Sequence, residues 1–214
     1  MKSKKILSSE DLTKCVEFHG HMCPGLAIGF QAARTLMERL GVRRAPDEEL
    51  LAIVETDACG ADAIQVITGC TFGKGNFIFK NYGKHAFSLA DRKRGKAIRV
   101  SFRPDAVKMD PVSLSLSERV QKDEASPEEL AQFRRLQKER TQNILEADAE
   151  SIFKIEDISP NIPPKAMIME SESCDFCGEP TKKDLLRKVD GKKACIPCAK
   201  KNGLAGGPAS PPRP

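Results

Sequence analysis

The sequence predicts an α+β protein: N-terminal helices packed on an antiparallel sheet, a long helix, then a small four-cysteine zinc-finger domain. Three observations carry this. Leu26, Phe30, Ala33, Met37 and Leu40 form one apolar stripe at helical spacing. Short apolar runs separated by turn residues follow between residues 50 and 102. Two C-x2-C pairs, Cys174/Cys177 and Cys195/Cys198, lie near the C-terminus.

Each element has its local reason. Ser8 and Ser9 before Glu10-Asp11-Leu12 read as a helix start running toward Phe18. Pro24 is placed to open the striped helix, and Gly41 to end it. Residues 50–56 read as a buried strand, and 61–67 as a short helix. A glycine-rich loop, Gly69 to Gly75, leads into a strand over 76–80. Further runs at 85–89 and 97–102, joined through Tyr82-Gly83 and Arg94-Gly95, suggest an antiparallel meander. Ser126-Pro127-Glu128-Glu129 is a helix start with a capping Ser, Pro in the first turn and acids beside it. That helix should reach about Glu150. Composition shifts divide the chain into a core domain (1–160), a linker (161–173), a finger (174–202) and a flexible Gly/Pro tail (203–214).

Of 214 residues, 40% are hydrophobic and 30% charged with both signs mixed, which excludes wholesale disorder. No run is long and apolar enough to insert in a membrane, and no apolar leader follows the basic N-terminus, so a cytoplasmic protein is expected. The net charge of +5 is uneven. Residues 1–170 carry 26 Lys and Arg against 25 Asp and Glu, leaving nine against five for residues 171–214. In a reducing compartment, clustered cysteines point to metal rather than to disulfides.

Two C-x2-C knuckles 17 residues apart fit a closed tetrahedral zinc site of structural type. Some 40 residues bury too little core to fold alone, so the metal supplies the stability. Four thiolates around Zn²⁺ cancel much of the finger's charge. Phe176 reads as finger core rather than a stacking platform, which argues against nucleic acid as the partner.

A second cluster lies near the N-terminus. His19, His21 and Cys23 alternate along a segment expected to be extended before Pro24, which would turn all three to one side. They are candidate ligands for a second metal, zinc or another transition metal. Cys23 also sits at a helix mouth, where free N–H groups favour a thiolate. Cys59, between a strand and a helix, is a further candidate, with Asp57 and Asp62 placed to orient a histidine. Cys70 is a weaker candidate, and Cys15 reads as core. Gly69-x3-Gly73-Lys74-Gly75 fails the spacing and context of a nucleotide-binding P-loop, although its N–H groups and Lys74 could hold an anion.

Phe18-His19-Gly20-His21-Met22-Cys23-Pro24-Gly25, then Cys59-Gly60-Ala61-Asp62-Ala63-Ile64-Gln65, then Gly69-Cys70-Thr71-Phe72-Gly73-Lys74-Gly75 together resemble the FmdE family of formylmethanofuran dehydrogenase components over about residues 10–155. The resemblance implies an α+β core, a treble-clef-like finger and a homodimer. It also implies a link to the molybdenum or tungsten oxidoreductase complex that reduces CO2 onto methanofuran. His19, His21, Cys23, Cys59, Asp62 and Lys74 are the polar residues it shares. The expected function is a metal-binding accessory subunit in C1 metabolism. The alternatives are a stand-alone metal- or Cys-dependent enzyme using the His19, His21, Cys23 and Cys59 site, and a nucleic-acid-binding finger protein; His19, Cys59, Asp62 and Lys74 are the candidate catalytic residues. The apolar stripe Leu130, Phe133, Leu136, Ile144 and Ala147 on the long helix independently suggests a surface for a second copy of the chain.

Overall fold

A computed structural model describes residues 10–107, 111–159, 162–165 and 169–203. The expected helix start at Ser8-Ser9, part of the linker and nearly all of the Gly/Pro tail lie outside the described residues. The chain forms two compact units, Met1–Ile162 and Pro163–Pro214.

In the first unit, α1 (Glu10–His19) and α2 (Pro24–Leu40) precede β1 (Leu50–Val54), α3 (Gly60–Thr68) and β2 (Phe77–Phe79). Then come β3 (Ala86–Asp91), β4 (Lys96–Phe102), α4 (Pro111–Gln121), α5 (Pro127–Glu146), α6 (Ala149–Ile152) and β5 (Phe153–Ile158). The fold is α+β, as the sequence predicts.

The sheet order is β2-β1-β3-β4-β5. β1, β3, β4 and β5 pair antiparallel, but β2 runs parallel to β1, with Ile53 opposite Ile78. The meander expectation therefore fails at this one edge. A parallel neighbour needs a crossover, and α3 provides it by carrying the chain back to the starting end of β1. Two elements were not anticipated: α4, and β5, whose alternation is only Phe153 and Ile155 against Lys154 and Glu156. The long helix stops at Glu146, short of Glu150, because Ala147 turns extended.

Period-two alternation sorts the sheet. Ala52, Leu89 and Ile98 lie in register on one face, as do Val54, Phe87 and Val100, and all six belong to the main core under the helices. On the other face Leu51, Ala90 and Ala97 form a smaller cluster, and Arg99 donates two hydrogen bonds to Glu55, at 2.7 and 2.9 Å. That guanidinium holds the Glu55 carboxyl below its usual value.

α2 is the central helix. Its stripe is buried apart from the half-buried Met37, and Gly41 ends it in the left-handed conformation at φ 61°. Ser126 caps α5 with a full capping box, its hydroxyl accepting from Glu129 N–H. α2 also touches α3 more closely than any larger residue would allow. A Cβ on Gly29 would lie 2.3 Å from the Gly60 carbonyl oxygen and 2.4 Å from its Cα. Both atoms are backbone, so no rotamer change relieves the clash, and the helices must part. Gly29→Ala is predicted to lower the unfolding free energy by about 3 kcal/mol, the upper range for overpacking. Gly73→Ala, where a Cβ meets nothing within 4 Å, should change it by less than about 0.5 kcal/mol. Urea unfolding followed by circular dichroism compares the two, and equal midpoints would refute the close contact.

Candidate metal and ligand site

The close crossing of α2 and α3 brings two helix N-termini together. Cys23 is the N-cap of α2, extended at φ −145° and ψ 165°, and its Sγ accepts the Leu26 N–H at 3.3 Å. Cys59 stands just before α3 in helical conformation, with no side-chain capping bond. Both sulfurs lie within 4 Å of the point a Cβ would occupy on Gly25: Cys59 Sγ at 3.5 Å and Cys23 Sγ at 3.9 Å. Glycine at position 25 leaves open the space that the two thiols share. Burial, then the adjoining Cys23 sulfur, push the Cys59 thiol upward.

The histidines join them by a different route from the one expected. His19 is the last residue of α1 rather than part of an extended run. Gly20, at φ 91°, reverses the chain, and its N–H closes the helix on Val16 O at 2.7 Å. The His21 ring then folds against the His19 ring, with centroids 4.6 Å apart. Asp62, in the first turn of α3, receives His19 Nδ1 at 2.7 Å. A carboxylate on Nδ1 keeps that nitrogen protonated and leaves the Nε2 lone pair free. Nε2 faces Cys23 Sγ at 3.9 Å. One ligand atom each from His19, His21 and Cys23 lie within 4.8 Å of one another, a group that could hold a metal ion. A tetrahedral zinc site with its usual bonds has nitrogen–sulfur edges of roughly 3.6 Å, a few tenths of an ångström from the separation seen.

This cluster faces a predominantly apolar cavity of about 820 Å³. His21, Cys23 and Cys59 line one side, and α5 builds the opposite wall with Phe133, Arg134, Gln137, Lys138 and Thr141. Sequence reasoning placed the apolar stripe on α5 but not this wall. Its signal was the i, i+3, i+4, i+7 set Arg134, Gln137, Lys138 and Thr141, which shares one side of the helix.

The other candidates lie elsewhere. Lys74 donates to the carbonyls of Pro46 and Asp47, both at 3.3 Å, and is not among the residues lining the cavity. Asp57 is exposed. Cys15 and Cys70 are fully buried, and burial pushes their thiols up to about 12 and about 11.

The second unit builds its own cluster. It consists of β6 (Ser171–Ser173), β7 (Pro180–Lys182), β8 (Arg187–Val189), β9 (Lys192–Ala194) and α7 (Ile196–Lys201). Gly178, at φ 76°, lets its N–H turn back onto Cys174 O at 2.8 Å, which closes the first knuckle. Cys195 caps α7, and Cys198 lies in its first turn. The ligand atoms of Cys174, Cys177, Cys195 and Cys198 all lie within 4.8 Å of one another. The Cys177 and Cys195 sulfurs are 3.8 Å apart, the edge of a tetrahedron with metal–sulfur bonds of about 2.3 Å. The Cys195 N–H, donating to Cys174 Sγ at 3.2 Å, leads the contacts that lower that thiol to about 6. Phe176 does not fill the finger core. It is 40% exposed, with Lys192 Nζ 5.8 Å from its ring centroid, while Val189, Ala194 and Ala199 are the buried apolar residues.

The chain thus joins an α+β unit, bearing an imidazole–thiol cluster beside a cavity, to a four-cysteine unit. The family described as "FmdE, Molybdenum formylmethanofuran dehydrogenase operon" matches residues 18–154, and the chain belongs to this FmdE family. The matched span includes the whole core cluster and excludes the finger. An FmdE-like protein of tungsten formylmethanofuran dehydrogenase type from Syntrophus aciditrophicus shares the fold, with a TM-score of 0.61 at 24% identity, covering 96% of this chain and all of that one. A probable S-adenosyl-L-methionine-binding protein of Archaeoglobus fulgidus is 34% identical over 195 residues, covering 88% of this chain. The chain spans about half, 52%, of that relative's length. No helix among the described residues is long and apolar enough to cross a membrane.

Cys174→Ser is predicted to release one metal per chain and to make residues 174–200 protease-labile, while the first unit keeps its helical dichroism. Loss of the whole fold in this variant would show that the two units are not independent.

Proposed function

We propose that this chain is a metal-binding accessory subunit related to formylmethanofuran dehydrogenase, serving an oxidoreductase of C1 metabolism. Its core metal is held by His19, His21 and Cys23, with Cys59 beside them, and a structural zinc sits in the finger. The observation that carries this reading is the His19 imidazole, fixed by Asp62 so that Nε2 meets the Cys23 sulfur where two helices begin. The donor set of two imidazoles and thiols suits zinc or another borderline transition metal. When bound, that metal supplies Lewis acidity at the cavity. The chain's own residues hold the His19 ring through Asp62, set the Leu26 N–H on the Cys23 sulfur, and give the site a mostly apolar surround.

The cavity favours a second reading, a stand-alone metal-dependent enzyme, because a purely structural site needs no room for a ligand. Turnover by the isolated chain would select it. The Archaeoglobus protein's name points to S-adenosyl-L-methionine, but no carboxylate lines this cavity to pair with that molecule's sulfonium and ammonium charges. The charged side chains lining the cavity are Arg134 and Lys138, which oppose a sulfonium cation.

We also propose a homodimer through α5. Its stripe is buried only at the C-terminal end, where Ile144 and Leu145 join the core, while Leu130, Phe133 and Leu136 stay half-buried. In protein purified without chelator, metal analysis should find two zinc-class metals per chain, one of them lost in His19→Ala. Light scattering on the same preparation should give twice the chain mass. A stoichiometry of one that His19→Ala does not change would rule out the core site, and a single-chain mass would remove the dimer.

A further inference from the structure

We infer that the cavity beside the core cluster binds an apolar organic acid as its anion, with the acid group on Arg134 and Lys138 and the apolar body against Met22, Pro24 and Phe133. For the part of the ligand that meets His21, Cys23 and Cys59, the inference rests on the metal reading above.

A volume of about 820 Å³ is that of a site for a molecule of cofactor or metabolite size. Its walls are mostly apolar, so most of the ligand's surface is apolar too. No carboxylate lines it. The fully charged groups on the wall are Arg134 and Lys138, one helical turn apart on α5, and neither has a carboxylate partner among the described residues. Their neighbours do: Arg135 meets Glu139 at 4.0 Å, and Arg119 meets Glu129 at 2.9 Å. Across the cavity, α2 directs its N-terminal dipole inward beside Cys23, which adds to the positive field. Asp62, the nearest carboxylate to the cluster, is engaged by His19 and does not line the cavity. Gln137, Thr141 and Gln142 complete the wall with neutral hydrogen-bonding groups.

Two fluorescent probes with the same body separate charge from shape: 8-anilinonaphthalene-1-sulfonate, an anion, and N-phenyl-1-naphthylamine, its uncharged counterpart. The chain contains no Trp, so background emission is low. Both should bind the full-length, metal-loaded protein. Arg134→Gln with Lys138→Gln should weaken the anion about tenfold, the size expected for two partly exposed charge contacts, and change the neutral probe by less than about twofold. Gln137→Glu, which sets a carboxylate beside Arg134 and Lys138 on the same wall, should weaken the anion and leave the neutral probe within about twofold, at unchanged circular dichroism. Equal effects of the double substitution on the two probes, or anion binding unchanged by Gln137→Glu, would overturn the proposal. Metal content is measured on the same samples. A chain lacking core metal that still discriminates the probes would sink the metal reading and leave the acid site standing.

Discussion

The closeness of two helices governs this molecule. Gly29 and Gly60 let α2 and α3 meet backbone to backbone, with no room for even one methyl group between them. The sheet packs beneath, and the N-termini of both helices come to one place because their axes are so near. Cys23 and Cys59 lie far apart in sequence, yet their sulfurs flank one Gly25. Asp62, one turn into α3, then reaches His19 at the end of α1. Three helices thus contribute to the cluster, and all depend on a contact that contains no chemistry itself. Widening it would separate the sulfurs and pull Asp62 from its ring before the fold was lost.

Local electrostatics suit cation binding and anion recognition side by side. Thiols, imidazoles and a carboxylate gather at the helix mouths, where the Leu26 N–H points at the Cys23 sulfur. The α5 wall supplies cationic groups on the other side of the same cavity. The finger solves a different problem by the same means, pointing backbone N–H groups at sulfur, and there four sulfurs close the site completely.

Much of this was legible in the sequence, for physical reasons that differ by element. The α2 stripe, its Pro24 and Gly41 boundaries and the Ser126 capping box are local signals, and the chain obeys them. The C-x2-C pairs carry their geometry in their spacing. The parallel β2 was not legible, because pairing direction is set by the path of a crossover rather than by the strand's own residues. β5 is an edge strand with weak alternation, and α4 has few apolar anchors, with only Ser113 and Leu116 buried. His19, His21 and Cys23 come together by a route that strand alternation does not describe: a left-handed Gly20 folds the second ring onto the first. Spacing puts Arg134, Gln137, Lys138 and Thr141 on one side of α5, but a polar side facing a cavity reads in sequence like one facing solvent.

The proposed core site joins imidazole and thiolate at a helix crossing and is distinct from the finger. Cadmium-113 NMR of the full chain after metal exchange tests it most directly, because the shift reports how many sulfurs surround each ion. Two resonances are expected: one far downfield from the four thiolates of the finger, and one upfield of it from sulfur and nitrogen together, lost in Cys23→Ser. A folded chain that showed the four-thiolate resonance alone would contradict it.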